Sequence, residues 1–504
     1  MNRALRLSDD DDVAVLIDAA EPGEQILGIV ARDPIPSGHK IAMHGIRTGA
    51  LVRKYGQVIG IASHDIAAGD HVHSHNLVVG DHAAAMAGSS RPAQPAATQP
   101  AARRPTGKST FEGYARANGR AGTRNAIGII ASVNCSATVV RRIARRFEDR
   151  LPEGIDAVAP FTHSSGCGMA KAGEGIETLE RTLTGYARNP NFGGVLMIGL
   201  GCEVAQIDEM LARHGLAPGA RLRTLTIQDA GGTAEAIERG NAIVQELIEE
   251  AAADRRTTRP ASDLVLGLQC GGSDAWSGVT ANPALGAAAD LLVATGGTAI
   301  LSETPEIYGA EHLLLARAAS PQVAQALEQR IAWWENYAAQ GRVSLDNNPS
   351  PGNKAGGLTT IYEKSLGAVA KAGSSALNDV LLYGEPTRTA GLVFMDSPGY
   401  DPCSATGQIA SGANLLAFTT GRGSVFGAQP TPCLKLASNG ALAQKMANDI
   451  DIDCSGVLEG QSIADAGAMI FDALLATASG KRTKSEALGV GEFEFVPWQL
   501  GAWM

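Results

Sequence analysis

No stretch of this 504-residue chain reaches ~18 uninterrupted apolar residues, so no membrane-spanning helix is expected. Its first residues, MNRALRLSDDDD, hold no apolar core long enough for a secretory signal, and a cytoplasmic location is expected. Cysteine is sparse: seven residues, an odd number, and no two of them stand in C-x-x-C spacing. That spacing excludes a local zinc knuckle, and the count fits free thiols in a reducing compartment better than a disulfide framework. Positive charge is in deficit, with a formal net charge of −10, which argues against a nucleic-acid binder. The one basic run, RRIARRFEDR at 141–150, reads as the solvated face of a helix. No G-x-x-x-x-G-K-[ST] phosphate loop occurs, and GLGCEV lacks the third glycine of a dinucleotide fingerprint. No nicotinamide cofactor is therefore expected.

What the chain has in quantity is glycine, 60 residues, clustered with Ser, Thr, Asn and Pro at the ends of apolar runs. Such clusters suit tight loops whose backbone lines a pocket, because glycine tolerates positive φ and lets backbone approach a ligand. Residues 1–80 are short β-like runs with a small repeat, IPSGHKI, IRTGALV and IAAGDHV, in which the glycine turns and the aliphatics alternate into a core. Residues 81–108, rich in Ala, Pro, Gln and Ser, keep no apolar period and read as a flexible linker able to span about 30 Å. From 109 onward, continuous apolar runs such as AIGIIASV, GVLMIGLG and DLVLGLQ alternate with helical patterns. This predicts an α/β body with mostly parallel sheets covered on both faces, divided near RRTTRPASD into domains at 109–260 and 261–504.

In parallel sheets, ligands sit at the carboxyl ends of strands. Four cysteines fall there: Cys135, Cys167, Cys202 and Cys270. Each could be a metal ligand, an acid or base, or a nucleophile; each could equally be a small apolar filler under a glycine turn. In HVHSHN, His71, His73 and His75 alternate, and two imidazoles at i, i+2 on a strand can chelate one ion; the alternative is an exposed polar strand face. His39, after a glycine turn, and His163, beside Cys167, are candidate proton carriers. NPSPGNKAGG offers Asn353 and Lys354, and FTTGRGSVFG offers Arg422, as holders of a carboxylate.

The stretches GYARANGRAGTRN, GLGCE, QCGGSDAWSGVTANPALG, NPSPGNKAGGL and FTTGRG resemble the altronate/galactarate dehydratase family over nearly the whole chain. The resemblance implies that the first region is a SAF domain, a β-clip module. FMDSPGYDPCSATGQIASGANL and VHSHNL look like the altronate branch, although Cys403 and the long linker depart from the pattern. A related branch desulfonates sulfolactate with a small subunit corresponding to the β module alone, which implies that the module completes the active site. The implied reaction is that of a hydro-lyase, D-altronate losing water to give 2-keto-3-deoxy-D-gluconate. The implied cofactor is a divalent metal, iron(II) above manganese or magnesium. The implied partners are a small sugar acid and a second copy of the chain in a homodimer, with neither nucleic acid nor membrane.

Removing a proton α to a carboxylate needs a base, an acid or metal for the leaving hydroxide, and a clamp for the carboxylate. The expected assignment is His39, His163 and Cys135 for acid–base work, and Lys354 and Arg422 as the clamp. Ser273, Asp274, Asn282 and Asn353 are expected to bind hydroxyls, and His73 and His75, with Cys270, to hold the metal. The alternatives are a galactarate dehydratase or sulfolactate sulfo-lyase, an iron–sulfur lyase with Cys135, Cys167, Cys202 and Cys270 on a cluster, and a catalytically silent sugar-acid binder.

Overall fold

The computed structural model describes residues 3–80, 82, 109–148 and 151–501. The segment expected to be a linker, 81–108, lies outside the described residues except for His82.

The three glycine repeats build the N-terminal module. Gly38, Gly49 and Gly69 turn the chain at φ +81°, +80° and +90°, and the flanking Ile35, Ile41, Ile46, Val52, Ile66 and Val72 are all buried. The strands pair antiparallel. Ala4–Leu5, Val13–Leu16, Lys40–Ala42 and His71–Val72 make one sheet, and Leu51–Lys54, Gln57–Ala62 and Leu77–Val78 another.

The body holds two parallel sheets. The first runs in the order Val158–Phe161, Ala126–Ala131, Phe192–Gly199, Leu222–Thr226. Every residue of Ala126–Ala131 and Phe192–Gly199 is buried because helices cover both faces. Ile127 and Ile129 point to the helices Ala137–Arg145 and Thr233–Ala252, while Ala126 and Ile130 point to Glu174–Arg188. The second sheet has seven strands in the order Leu377–Leu381, Gly391–Met395, Thr298–Ser302, Val265–Cys270, Leu415–Thr420, Cys433–Ala437, Ile452–Asp453, again all parallel. RRTTRPASD, expected to be a division, contains the strand Arg256–Pro260. It pairs antiparallel with Thr110–Ala115 and so closes the first α/β unit on itself.

Strand order explains where a site can form. Val265–Cys270 has Thr298–Ser302 on one side and Leu415–Thr420 on the other. The chain leaves this strand in one direction and later returns on its opposite flank, which opens a crevice beyond the carboxyl ends. Cys270 is the last residue of that strand.

The N-terminal module docks over this crevice. Its Val13, Ile59 and Ile66 share one apolar core with Leu285, Leu366 and Val369 of the body. Within the seam lies a buried ionic triad. Lys40 Nζ is 2.9 Å from Glu363 Oε2, and Lys54 Nζ is 2.8 Å from Glu363 Oε1. Lys40 also donates to the carbonyl of Gly357 at 2.7 Å, and Thr359 donates to Glu363 through its N–H and its hydroxyl. Glu363 stands in the first turn of helix Ile361–Val369, capped by Thr360, where the helix dipole favours a carboxylate. Backbone meets backbone beside the triad: a side chain at Gly357 (φ +98°) would sit 2.4 Å from the carbonyl oxygen of Gly38.

Removing one partner of a buried ion pair leaves an uncompensated charge. Glu363→Gln is therefore expected to destabilise the protein by about 3–5 kcal/mol, read by chemical denaturation, and to expose the module to protease first. A change within the scatter of the measurement would mean that the triad does not hold the module.

Candidate active site

Three histidines of the module face the body. His39 follows the Gly38 turn; the pairing of Ile41 with His71 and Lys40 with Val72, carried one residue further, brings His73 across from His39, with ring centroids 4.8 Å apart. His39 Nδ1 lies 3.0 Å from His71 Nε2, and the rings of His71 and His73 stack at 5.4 Å. The ligand atoms of His39, His71 and His73 all lie within 4.8 Å of one another. Burial holds His71 down to about 4 and His73 to about 3, with neighbouring positive charges acting in the same direction. The imidazoles are thus neutral, the form that binds a metal. His73 Nδ1 is buried and has no hydrogen-bond partner. The sequence reading paired His73 with His75 instead. The strand ends at Val72, and the chain turns over His73–Asn76, with Asn76 Oδ1 accepting from the His73 N–H. The two-residue alternation stops there, and His75 faces solvent.

Opposite the histidines is the glycine-flanked turn after Cys270. Gly38 of the module packs on Trp276 and Ala275, and His39 Nε2 is 3.5 Å from the carbonyl of Ala355. Asp274 and Asn353 shape this turn. Asp274 accepts from Ser277, Ser438 and Asn439, and Asn353 completes a capping box with Ser350 while donating to the carbonyl of Ser273. Asn282 is likewise engaged, by Gly367 and Thr419. Their polar groups are spent inside the protein. Ser273 Oγ, by contrast, is buried and without a partner. Arg422 extends into solvent from a loop pinned on Gly272, its N–H donating to the Gly272 carbonyl at 2.7 Å. Lys354 is half-buried, and among the described residues no salt bridge holds either cation. A narrow cleft of about 10 Å³, room for about one water, joins Tyr55 of the module to Cys270, Ser273, Asn282 and Lys364.

Beneath that cleft lies an acidic cluster that sequence reasoning missed. Lys371 Nζ is 2.9 Å from Cys270 Sγ and 3.6 Å from Glu303, and Lys364 Nζ is 2.7 Å from Glu306. Cys270, Glu303 and Glu306 form a second group with ligand atoms within 4.8 Å. Burial pushes the Cys270 thiol up to about 11, with the Lys371 ammonium opposing that rise. Burial and then the neighbouring Glu306 push Glu303 well above the usual carboxylate range, and the same two causes bring Asp401 to about 7. Glu303 and Asp401 therefore hold a proton more readily than ordinary carboxylates. Glu303 is fully buried, neither carboxylate oxygen has a hydrogen-bond partner, and its backbone is left-handed at φ +74°. A strained, unsatisfied acid at a strand end is a mark of function. The available signal was in GTAILSE, where the glutamate follows its strand directly, much as Cys270 ends its own.

The other two expected acid–base residues stand on the four-stranded sheet. Cys135 is exposed, in the turn before helix Ala137–Arg145. His163 is buried with both ring nitrogens occupied: Nε2 donates to the carbonyl of Ala131 at 3.0 Å, and Nδ1 accepts from the N–H of Ser165 at 3.2 Å. Burial lowers it to about 4. The ring has no free nitrogen for a substrate proton; it ties two strand ends together. Cys135 and His163 thus lie at the carboxyl edge of the four-stranded sheet, and Cys270 and Arg422 at that of the seven-stranded one.

Three family models match the chain in succession: the altronate/galactarate dehydratase SAF domain over residues 2–80, the D-galactarate dehydratase/altronate hydrolase second domain over 113–252, and the D-galactarate/altronate dehydratase C-terminal region over 261–503. Among curated relatives, an altronate dehydratase of Escherichia coli (strain K12) is 36 % identical over 94 % of this chain and 95 % of its own. A galactarate dehydratase (L-threo-forming) of the same organism is 36 % identical over 95 % and 93 %. An altronate dehydratase of Bacillus subtilis (strain 168) is 34 % identical over 91 % of each chain.

Two outcomes follow from the geometry. Glu303→Gln keeps the shape and removes the ionisable proton; it is expected to lower kcat by roughly 10² or more while leaving the unfolding midpoint unchanged. A near-normal rate would return Glu303 to a structural role. His163 is neutral in the fold, while the unfolded chain takes up a proton below about 6.5. Stability should therefore fall as pH drops from about 6.5 toward 4 and level off below that, by about 3 kcal/mol at most. His163→Gln, compared with the parent by denaturation at the two ends of that window, should lack this component.

Proposed function

The chain belongs to the D-galactarate/altronate dehydratase family, and from that premise we propose that its substrate is D-altronate, dehydrated to 2-keto-3-deoxy-D-gluconate in the seam between the N-terminal module and the seven-stranded sheet. As a member it is a hydro-lyase. The choice of altronate rests on FMDSPGYDPCSATGQIASGANL and VHSHNL, which look like the altronate branch. The seam is favoured by one observation above others: Lys354 and Arg422, without salt bridges among the described residues, flank a turn whose Ser273 hydroxyl is buried and unpartnered and whose Ala275 and Trp276 meet the Gly38 turn of the module.

Proton removal at C2 makes a dianion, and Lys354 and Arg422 stabilise it at the carboxylate oxygens. Ser273 holds a substrate hydroxyl and fixes the orientation of C2 and C3. Glu303, whose carboxyl burial pushes well above the usual range, supplies acid–base capacity in place of His163. The base takes the C2 proton, and the C3 hydroxyl leaves with a proton as water. The resulting enol gains a proton at C3 and becomes the 2-keto acid. The module excludes bulk water from this step, since its Tyr55 walls the cleft.

A divalent metal, iron(II) before manganese or magnesium, fits His39, His71 and His73. The imidazoles are neutral, their nitrogens converge, and the buried His73 Nδ1 has no other partner. Such an ion supplies Lewis acidity toward the leaving hydroxyl or the carboxylate. All seven cysteines are free thiols, in keeping with a reducing, cytoplasmic setting.

A panel of aldonates, aldarates and sulfolactate with added iron(II), read as 2-keto acid formed, tests the substrate. The highest kcat/KM is expected on D-altronate. A higher value on galactarate, or release of sulfite from sulfolactate, would overturn that choice.

A further inference from the structure

The four strand-end cysteines divide in the fold. Cys270 is buried against Lys371 on the seven-stranded sheet, whereas Cys135, Cys167 and Cys202 are all exposed and all belong to the four-stranded one. They follow Ala126–Ala131, Val158–Phe161 and Phe192–Gly199, three neighbouring parallel strands, so the three thiol-bearing loops leave the same edge of the sheet side by side. Backbone bonds stitch these loops together one residue or two from each thiol. The N–H of Asn134 donates to Ser165 at 3.0 Å, and the N–H groups of Val204 and Ala205 both donate to Gly166 at 3.1 Å. Ser132 Oγ donates to Glu203 Oε1 at 2.9 Å, and the buried Glu203 also accepts from the N–H of Gly201. Gly166, at φ +95°, is pressed so closely on the Cys135 loop that a side chain there would stand 2.4 Å from the carbonyl oxygen of Ser132.

Three exposed thiols on three loops that hold one another are unusual for a residue type that is normally buried; the chain's other four cysteines are buried. We propose that Cys135, Cys167 and Cys202 ligate an iron–sulfur cluster, with one iron position left without a protein thiolate. A single tetrahedral ion with metal–sulfur bonds near 2.3 Å would hold its thiolates about 3.8 Å apart. Among the described residues, only the two groups named above gather three ligand atoms within 4.8 Å, so the three thiols stand wider apart than one tetrahedral ion would hold them. There is room for a further ligand: a cleft of about 540 Å³ begins at Met169 and Ala170, just beyond Cys167, and Trp333, Tyr337 and Gln499 wall its other side. This centre is separate from the histidine group and is assigned no step of the dehydration.

The test uses the full-length protein, purified without oxygen and reconstituted with ferrous iron and sulfide. Iron and acid-labile sulfide are expected in about equal amounts per chain, with the visible absorbance of a cluster. Cys135→Ala, Cys167→Ala and Cys202→Ala should each lose most of the sulfide, while Cys433→Ala and His71→Ala keep it. Differential alkylation of the unmutated protein covers the case of a variant that fails to fold: the three thiols should be shielded after reconstitution and reactive before it. Iron without sulfide, zinc alone, or alkylation unchanged by reconstitution would overturn the proposal. Sulfide bound without altronate turnover would leave the cluster standing and sink the substrate reading; turnover without sulfide would do the reverse.

Discussion

The contact on which the rest depends is Glu363 caught between Lys40 and Lys54. All three are buried, and they come from two separate parts of the chain. Two ammonium groups face one carboxylate, so the triad carries an excess positive charge. Burial, with Lys54 adding repulsion, brings Lys40 down to about 8, while the two lysines hold Glu363 well below its ordinary value despite burial. Breaking such a set costs far more than its net contribution to folding. Its function is positional. It fixes the strand that carries Lys40, and with it His39, against the turn after Cys270, and its charge helps keep His73 neutral.

Much of the fold was legible in the sequence because local physics set it. Turn glycines at a fixed interval, with aliphatics between them, can form little else than a compact β module. Apolar runs alternating with helical periods require parallel strands buried on both faces. The strand-end thiols were legible for the same reason, since a strand that stops at a glycine turn shows where its carboxyl edge lies. The triad was not. Lys40, Lys54 and Glu363 each read as an ordinary surface residue, and only a long-range fold brings them together. The choice between His71 and His75 turned on a strand ending two residues earlier than the alternation suggested. His163 looked like a free imidazole because a hydrogen bond to the carbonyl of Ala131 leaves no trace in sequence. Glu303 was hidden by the low prior for a buried acid without a hydrogen bond.

The two sheets use their carboxyl edges differently. On the seven-stranded sheet the edge is roofed by the N-terminal module, and the groups beneath it are buried: the carboxyls of Glu303, Glu306 and Asp401, the thiol of Cys270, and the ammonium groups of Lys364 and Lys371, with Glu303 lacking any hydrogen bond. Unsatisfied charge of this kind is costly to stability and is retained where chemistry needs it. On the four-stranded sheet the edge is tightly tied by backbone bonds and leaves its thiols in solvent. One edge gathers buried titratable groups; the other presents soft ligands.

A structure of the protein with a non-reacting altronate analogue would decide the account at its centre. The analogue is expected between the histidines of the module and the turn at Ser273, with its carboxylate on Lys354 and Arg422. Density for it in the cleft beside Trp333 and Tyr337, with the seam unchanged, would contradict the assignment of the active site.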